Sequence, residues 1–220
     1  ITDTFLHSIE SSSGYFFKIL NNKPIHKKSD KWINSIQKIK NEYPYYYDEQ
    51  PIVIKGPDVI RCIDRRIDDF FPDRKNIFFT TGVGNHQMQT YQYIKSHYPK
   101  KILSSGSLGV MGAGLPYAIG AKIANPEKMV IVIDGDSSFN MTLTDLKTVK
   151  ENNIPIKIAI MNNDAQMMVT IWEKLFFEER YTATLNKRNP DFAMLAESYG
   201  IKSLKCDKIE DLDKTVDEFI

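Results

Sequence analysis

The 220-residue chain has only two cysteines, Cys62 and Cys206, and they do not stand at metal-ligand spacing. That leaves no sign of a cysteine-ligated metal site, and thiols that stay reduced fit an intracellular enzyme. An excess of one charge is also missing. Its 29 Lys and Arg against 28 Asp and Glu leave a net charge of +1, so nothing marks it for nucleic acid or acidic membranes. No apolar run approaches the length of a membrane span. The glycine-rich stretch Ser104–Gly114 lacks the Lys-Ser/Thr ending of a Walker loop. No GxGxxG follows the first predicted strand, which argues against a dinucleotide-binding domain. Internal repeats and low-complexity blocks are absent. The first residues are Ile1-Thr2 rather than methionine, and the chain ends inside a predicted helix, Asp211–Ile220. It reads as a fragment, with any targeting peptide outside it. What remains is ordinary globular composition, 42% hydrophobic and 26% charged, with length for one domain and a peripheral segment.

The most informative stretch runs from Met129 to Met168. Two apolar runs, Met129–Ile133 and Ile156–Met161, stop abruptly at polar residues. Such runs are parallel strands covered on both faces. The first ends in Asp134-Gly135-Asp136 and the second in Asn162-Asn163-Asp164. In between, Thr142 and Asp145 form a candidate capping box, followed by the helical stripe Leu143, Leu146 and Val149. Asp136 and Asn163, 27 positions apart, then fall at the C-terminal ends of neighbouring strands, where doubly wound sheets bind ligands. One anionic and one neutral oxygen beside a helix N-terminus suit Mg²⁺ carrying a diphosphate. The alternative is an acidic strand end and an Asn-Asn turn without a ligand.

Residues 1–28 are irregular and read as linker. Trp32, Ile33, Ile36 and Ile39 predict a helix that breaks at Tyr43-Pro44, and the tyrosines there are expected to pack on the next domain. A second amphipathic helix is predicted from Val59 through Phe70, with Asp68, Asp69 and Asp73 as charged surface. The compact domain is expected from Asn76, giving 1–75 as linker and tail of a preceding domain and 76–220 as the ligand-binding domain. Ile77–Thr81 is a strand and Gly82–His86 its loop; His86 suits either a ligand contact or a capping and packing role. The loop Ser104–Gly114 leads to a helix with Pro116 in its first turn. Gly112, Pro116, Gly120 and Ala124 form a small-residue face, with another helix as the expected neighbour. Gln166–Trp172 opens a further helix, and Phe176–Arg188 reads as a mobile flap. Asn189 as N-cap and Pro190 at the first helical position start a helix ending before Gly200. A strand at Ile201–Cys206 and a last helix complete an open parallel α/β sheet with helices on both faces.

Several stretches together carry a resemblance. Gly135-Asp136-Ser137 through Asn162-Asn163 is similar to the thiamine diphosphate motif, with serine at its third position. TTGVGNHQM (Thr80–Met88), SSGSLGVMGAGLPYAIGAKIANP (Ser104–Pro126), IDGDSSFNMTLTDL (Ile133–Leu146) and NPDFAMLAESYGIK (Asn189–Lys202) resemble the catalytic subunit of acetolactate synthase, most of all the fungal form. NEYPYYYDE (Asn41–Glu49) is similar to the segment joining that enzyme's central and diphosphate-binding domains. The resemblance runs from about Lys31 to the end of the chain.

It implies a thiamine diphosphate-binding fold and condensation of two 2-oxoacids: pyruvate is decarboxylated and the carbanion attacks a second pyruvate or 2-oxobutyrate. Asp136, Asn163 and the Ala165 carbonyl are the implied Mg²⁺ ligands. Gly135, Ser137 and Ser138 are placed along the diphosphate, with Val83, Asn85, His86 and Gly109 on the same side. Met111 is the implied apolar prop that bends the cofactor, and Met168 and Val169 touch its aminopyrimidine. Trp172 walls the substrate channel. The resemblance further implies FAD held mainly by a central domain outside this chain, a homodimer, a possible regulatory subunit and mitochondria, with plastid or cytoplasm as alternatives. Three positions depart from the family: Asn85 for Gln, Gln89 for Trp, and Met167 for Gly beside the pyrimidine, where a large side chain crowds the cofactor. The activating glutamate belongs to an N-terminal domain, so this chain alone is expected to be inactive. A sister 2-oxoacid decarboxylase or carboligase, and a non-catalytic cofactor-binding or interaction subunit, are the competing readings.

Overall fold

The computed structural model describes residues 30–49 and 52–220, so the linker reading for 1–28 lies outside the described residues. Two compact units divide the chain, residues 1–46 and 47–220. In the first, helix α1 (Asp30–Glu42) carries Trp32, Ile33, Ile36 and Ile39 at the predicted spacing, all exposed, and stops before Tyr43-Pro44. The residue ahead of a proline is disfavoured in the helical region, which ends the run.

The second unit is built on four parallel strands in the order β2-β1-β3-β4. They are β1 (Ile77–Thr81), β2 (Ile102–Ser104), β3 (Met129–Gly135) and β4 (Lys157–Met161). β1 pairs with β3 from Ile77↔Met129 to Thr81↔Ile133, and β3 with β4 from Ile131↔Lys157 to Gly135↔Met161. Helices cover both faces, as the apolar runs predict. On one side, α2 (Gly56–Phe70), α3 (Asn85–Tyr93) and α9 (Leu212–Phe219) pack over Ile77, Phe79, Ile131 and Ile133. On the other, α4 (Gly114–Ala124), α5 (Asp136–Asn140) and α6 (Leu146–Glu151) cover Val130, Val132 and Ile158. Ile131 and Ile133 therefore face one layer while Val130 and Val132 face the other, the two-residue alternation of a strand buried on both sides. Each such burial is worth about 1.5–3 kcal/mol.

The compact unit begins earlier than the predicted boundary at Asn76. Helix α2 turns Ile60, Ile63 and Ile67 wholly into the core. It belongs to the folded unit, because an amphipathic helix is stable where its apolar stripe is covered. Tyr47 packs as expected of the tyrosine run, edge-on to Tyr93 at 5.8 Å, whereas Tyr43, Tyr45 and Tyr46 are exposed.

Four further local expectations differ from the structure. Thr142 makes no side-chain cap; its hydroxyl donates to the Gly112 carbonyl at 2.8 Å, and a short 3₁₀ turn leads from it into α6. The helix predicted from Asn189 is α8 (Phe192–Ser198), capped by Asp191, which accepts from the Ala193 and Met194 amides. Ile201–Cys206 forms no strand. Among the described residues the small-residue face of α4 meets no helix at Gly120, where a Cβ would touch nothing within 4 Å, and the buried face runs through Leu115, Ala118 and Ala121.

Candidate functional site

The C-terminal ends of β1, β3 and β4 and the loop after β2 open into one cleft. The β1–α3 turn contributes Val83, Asn85 and His86, and the loop before α4 contributes Gly109 and Met111. The β3–α5 junction adds Gly135, Asp136, Ser137 and Ser138. The turn from β4 into α7 (Met167–Phe176) adds Asn163, Ala165, Met167, Met168 and Val169. Parallel strands end on the same side of a sheet, so turns distant in sequence converge there. Trp172 is the one expected residue not brought into this cleft. It lies a helical turn beyond Met168 on α7, 55% exposed, with its ring 5.0 Å from that of Phe176.

Behind the cleft lies a buried carboxylate that sequence reasoning missed. Asp134, fully inaccessible, has Oδ1 3.0 Å from Nε2 of His86 and 2.9 Å from the Gly135 amide. Two glycines make room for it. A Cβ on Gly114 would stand 2.6 Å from Asp134 Oδ2, and one on Gly82 would overlap both Asp134 and Ser138. The His86 ring packs between Asp134 and Gly135, its buried Nε2 near Asp134 Oδ1 without hydrogen-bond geometry and its Nδ1 against Gly135. An acidic residue closing an otherwise apolar strand was the only sequence sign of this arrangement.

Asp136 is 1% exposed. Its Oδ2 accepts from the side-chain amides of Asn189 at 2.6 Å and Asn186 at 2.9 Å. Asn189 Nδ2 also reaches Asn162 Oδ1 at 2.9 Å and Asp164 Oδ1 at 3.0 Å, spanning the ends of β3 and β4. Its Oδ1 accepts from Asn140 at 3.1 Å. Asn186 and Asn189 were not foreseen as site residues; nothing in their local pattern points at a strand end some fifty positions earlier. Asn163 Oδ1 accepts from the Ala165 amide at 3.2 Å, closing the turn in which Asp164 takes φ +55°.

The segment after α7 is tied down at several points, unlike a free flap. Buried Glu173 accepts from the Thr182 amide at 2.9 Å and the Thr184 hydroxyl at 2.5 Å. Leu185 forms an antiparallel bridge with Ala165. These bonds carry Asn186 and Asn189 onto Asp136.

Among the described residues no hydrogen bond reaches Asp136 Oδ1 or the Ala165 carbonyl. A free carboxylate oxygen on a cleft that Asn163 and Ala165 also line could hold a hard cation such as Mg²⁺ that keeps water and phosphate ligands. No group of three or more His, Cys, Asp or Glu gathers among the described residues, so the hard-oxygen set is the one on offer.

Residues 82–220 match the family model for thiamine pyrophosphate enzymes, C-terminal TPP binding domain, which takes in every turn on the cleft. The chain belongs to this family. The chain is 46% identical over 199 residues to the mitochondrial acetolactate synthase catalytic subunit of Saccharomyces cerevisiae, covering 90% of this chain and 28% of that protein. It is 42% identical over 191 residues to the mitochondrial acetolactate synthase of Schizosaccharomyces pombe, covering 86% and 28%. With the large subunit of Escherichia coli acetolactate synthase isozyme 2 the identity is 35% over 191 residues, covering 86% and 33%. The chain thus spans 28–33% of the length of these relatives.

Proposed function

We propose that this TPP-binding domain is the diphosphate- and magnesium-holding part of an acetolactate synthase. The complete enzyme condenses two pyruvates, or pyruvate with 2-oxobutyrate, in the biosynthesis of valine and isoleucine. The observation that carries this reading is the convergence of the β1, β3 and β4 turns and Met111 on one cleft, in a chain similar to acetolactate synthases along most of its length.

In this reading Asp136 Oδ1, the Asn163 side chain and the Ala165 carbonyl hold Mg²⁺. Asn163 Oδ1, which accepts from the Ala165 amide, would be the neutral side-chain oxygen of that set. Gly135, Ser137 and Ser138 line the diphosphate, with Val83, Asn85, His86 and Gly109 opposite. Asn85 makes no side-chain hydrogen bond among the described residues, leaving its amide for a phosphate oxygen. Bound thiamine diphosphate supplies the electron sink for decarboxylation and carbon–carbon bond formation. Met111 would be the apolar prop against the cofactor, Met168 and Val169 would line its pyrimidine, and the exposed face of Trp172 would wall a substrate channel completed by other parts of the enzyme. FAD in a central domain, a homodimeric active site, a regulatory subunit and mitochondrial location complete the proposal; the fungal relatives are named mitochondrial, and the yeast protein a catalytic subunit.

Met167 favours one competing reading, a non-catalytic homologue. It is the first residue of α7 and lines the cleft, and its φ is not positive, so the backbone carries the side chain without strain. Calorimetry of Mg²⁺-dependent thiamine diphosphate binding to the full-length protein, alongside Met167→Gly, decides between them. Equal tight binding is expected. Binding by the glycine variant alone would move the non-catalytic reading to first place, and binding by neither would remove the cofactor assignment. Production of acetolactate rather than aldehyde from pyruvate separates the sister decarboxylases.

A further inference from the structure

The two amides on Asp136 do more than brace a loop. We propose that Asn186 and Asn189 tie off Asp136 Oδ2 so that the carboxylate meets its cation through Oδ1 alone, and that this selects Mg²⁺ over Ca²⁺. The inference rests on the reading of Asp136 as a metal ligand given above.

The orientation of the Asn189 amide follows from its surroundings. Turned over, its oxygen would face a carboxylate oxygen at 2.6 Å, acceptor against acceptor, and its nitrogen would face the Asn140 amide. As it stands, the two Nδ2 hydrogens are shared among Asp136, Asn162 and Asp164. Asn186 adds a second donor to the same Asp136 oxygen and reaches Ser137 Oγ at 2.5 Å. Two donors from one strap converge on Oδ2, and none reaches Oδ1 among the described residues.

Denticity is where the two cations differ. Ca²⁺ accepts six to eight oxygens and takes carboxylates in one- or two-oxygen fashion, whereas Mg²⁺ requires a near-octahedral shell of short bonds. A carboxylate whose second oxygen is held by two amides is restricted to the single-oxygen mode that Mg²⁺ needs. Asn189 also joins Asp136 to the Asn162–Asp164 turn, setting the span between the two strand ends that share the cation. Partners of this kind orient ligands without touching the metal; Asn186 and Asn189 are positioning residues.

The test uses the full-length protein saturated with thiamine diphosphate, titrated separately with Mg²⁺ and Ca²⁺ and followed by tryptophan fluorescence and calorimetry. Asn186→Ala/Asn189→Ala is expected to weaken Mg²⁺ by about 10–100-fold while Ca²⁺ weakens much less, so the selectivity ratio falls. Parallel loss of both cations would mean a merely structural brace and would overturn the proposal, as would unchanged affinities. If the double variant does not fold, Asn140→Ala serves instead: it removes the donor that braces Asn189 Oδ1, loosening that side chain, and should shift the ratio the same way by a smaller amount, and an unchanged ratio overturns the idea. Asp136→Ala separates the two levels. Wild-type affinity in that variant would remove the metal assignment itself, whereas lost binding there with an unchanged ratio in the asparagine variants would remove only this inference.

Discussion

Single residues divide between those that react and those that hold. The Cys62 thiol is buried and donates to Asp213 Oδ1 at 3.1 Å; burial first, and then that carboxylate, push it up to about 11. Cys206 is only half-buried. Iodoacetamide at about pH 8 is therefore expected to label Cys206 well before Cys62, since the thiolate is the reactive form; peptide mass spectrometry showing equal rates would contradict this. Arg74 holds. It is 3% exposed, pairs with buried Asp64, reaches Asp68 at 2.7 Å and donates to the Asp64 and Lys95 carbonyls. Arg74→Ala leaves the buried Asp64 carboxylate with only the exposed Lys95 ammonium, 3.7 Å away, and is expected to cost about 3 kcal/mol, read as a lower unfolding midpoint. Asp68 was legible in the sequence as charged surface and is indeed partly exposed, but its pairing with Arg74 was not. That pairing depends on the chain doubling back after α2.

At the scale of elements, α7 and the strap that follows form one device. A carboxylate on a helix, Glu173, replaces the turn's missing backbone partners by accepting from Thr182 and Thr184. Glu173→Ala should release residues 177–188, making cleavage by trypsin at Arg180, Lys187 and Arg188 several-fold faster, while the rest of the unit resists. Unchanged proteolysis would show that the Leu185–Ala165 bridge suffices. The helix starts show why boundaries shift between sequence and structure. Asn189 and Asp191 are both good caps by residue type. The tertiary fold spends Asn189 on Asp136 and leaves the cap to Asp191, whose carboxyl is held low by the Met194 and Ala193 amides. Strand β2 went unnoticed in the sequence because only three residues, Ile102–Ser104, pair with β1. Its existence is set by the neighbour rather than by any apolar run.

The whole second unit couples charge to stability. Asp68 is held below the usual carboxylate range chiefly by its hydrogen bond with Lys95, and Asp213 by the Cys62 thiol and then Arg65 and Arg66. Both bind protons less readily folded than unfolded, so their contribution is complete above the unfolded value of about 3.9 and is lost as pH falls through the lower folded values. Circular dichroism from about pH 5 down to about pH 2 should show acid unfolding, with a shallower slope in Asp68→Asn. The outer edge of β4 pairs with no other strand among the described residues. An open edge templates association, so the 220-residue chain expressed alone is expected to self-associate with rising concentration in sedimentation velocity. A monomer at all concentrations would count against an open edge.

By itself the sequence determined the parallel α/β class and the two strands that run up to Asp136 and Asn163. These follow from local properties: apolar runs too short for anything but buried strands, and polar residues where the runs stop. Only the tertiary structure decided that α2 belongs to the folded unit, that Asp134 and His86 support the β3 turn from behind, and that Trp172 stands outside the cleft. It also decided that Asn186 and Asn189 close on Asp136. The physical reason is distance along the chain. A hydrogen bond between residues about fifty positions apart leaves no periodicity in the sequence and exists only once the sheet has brought its strand ends to one side.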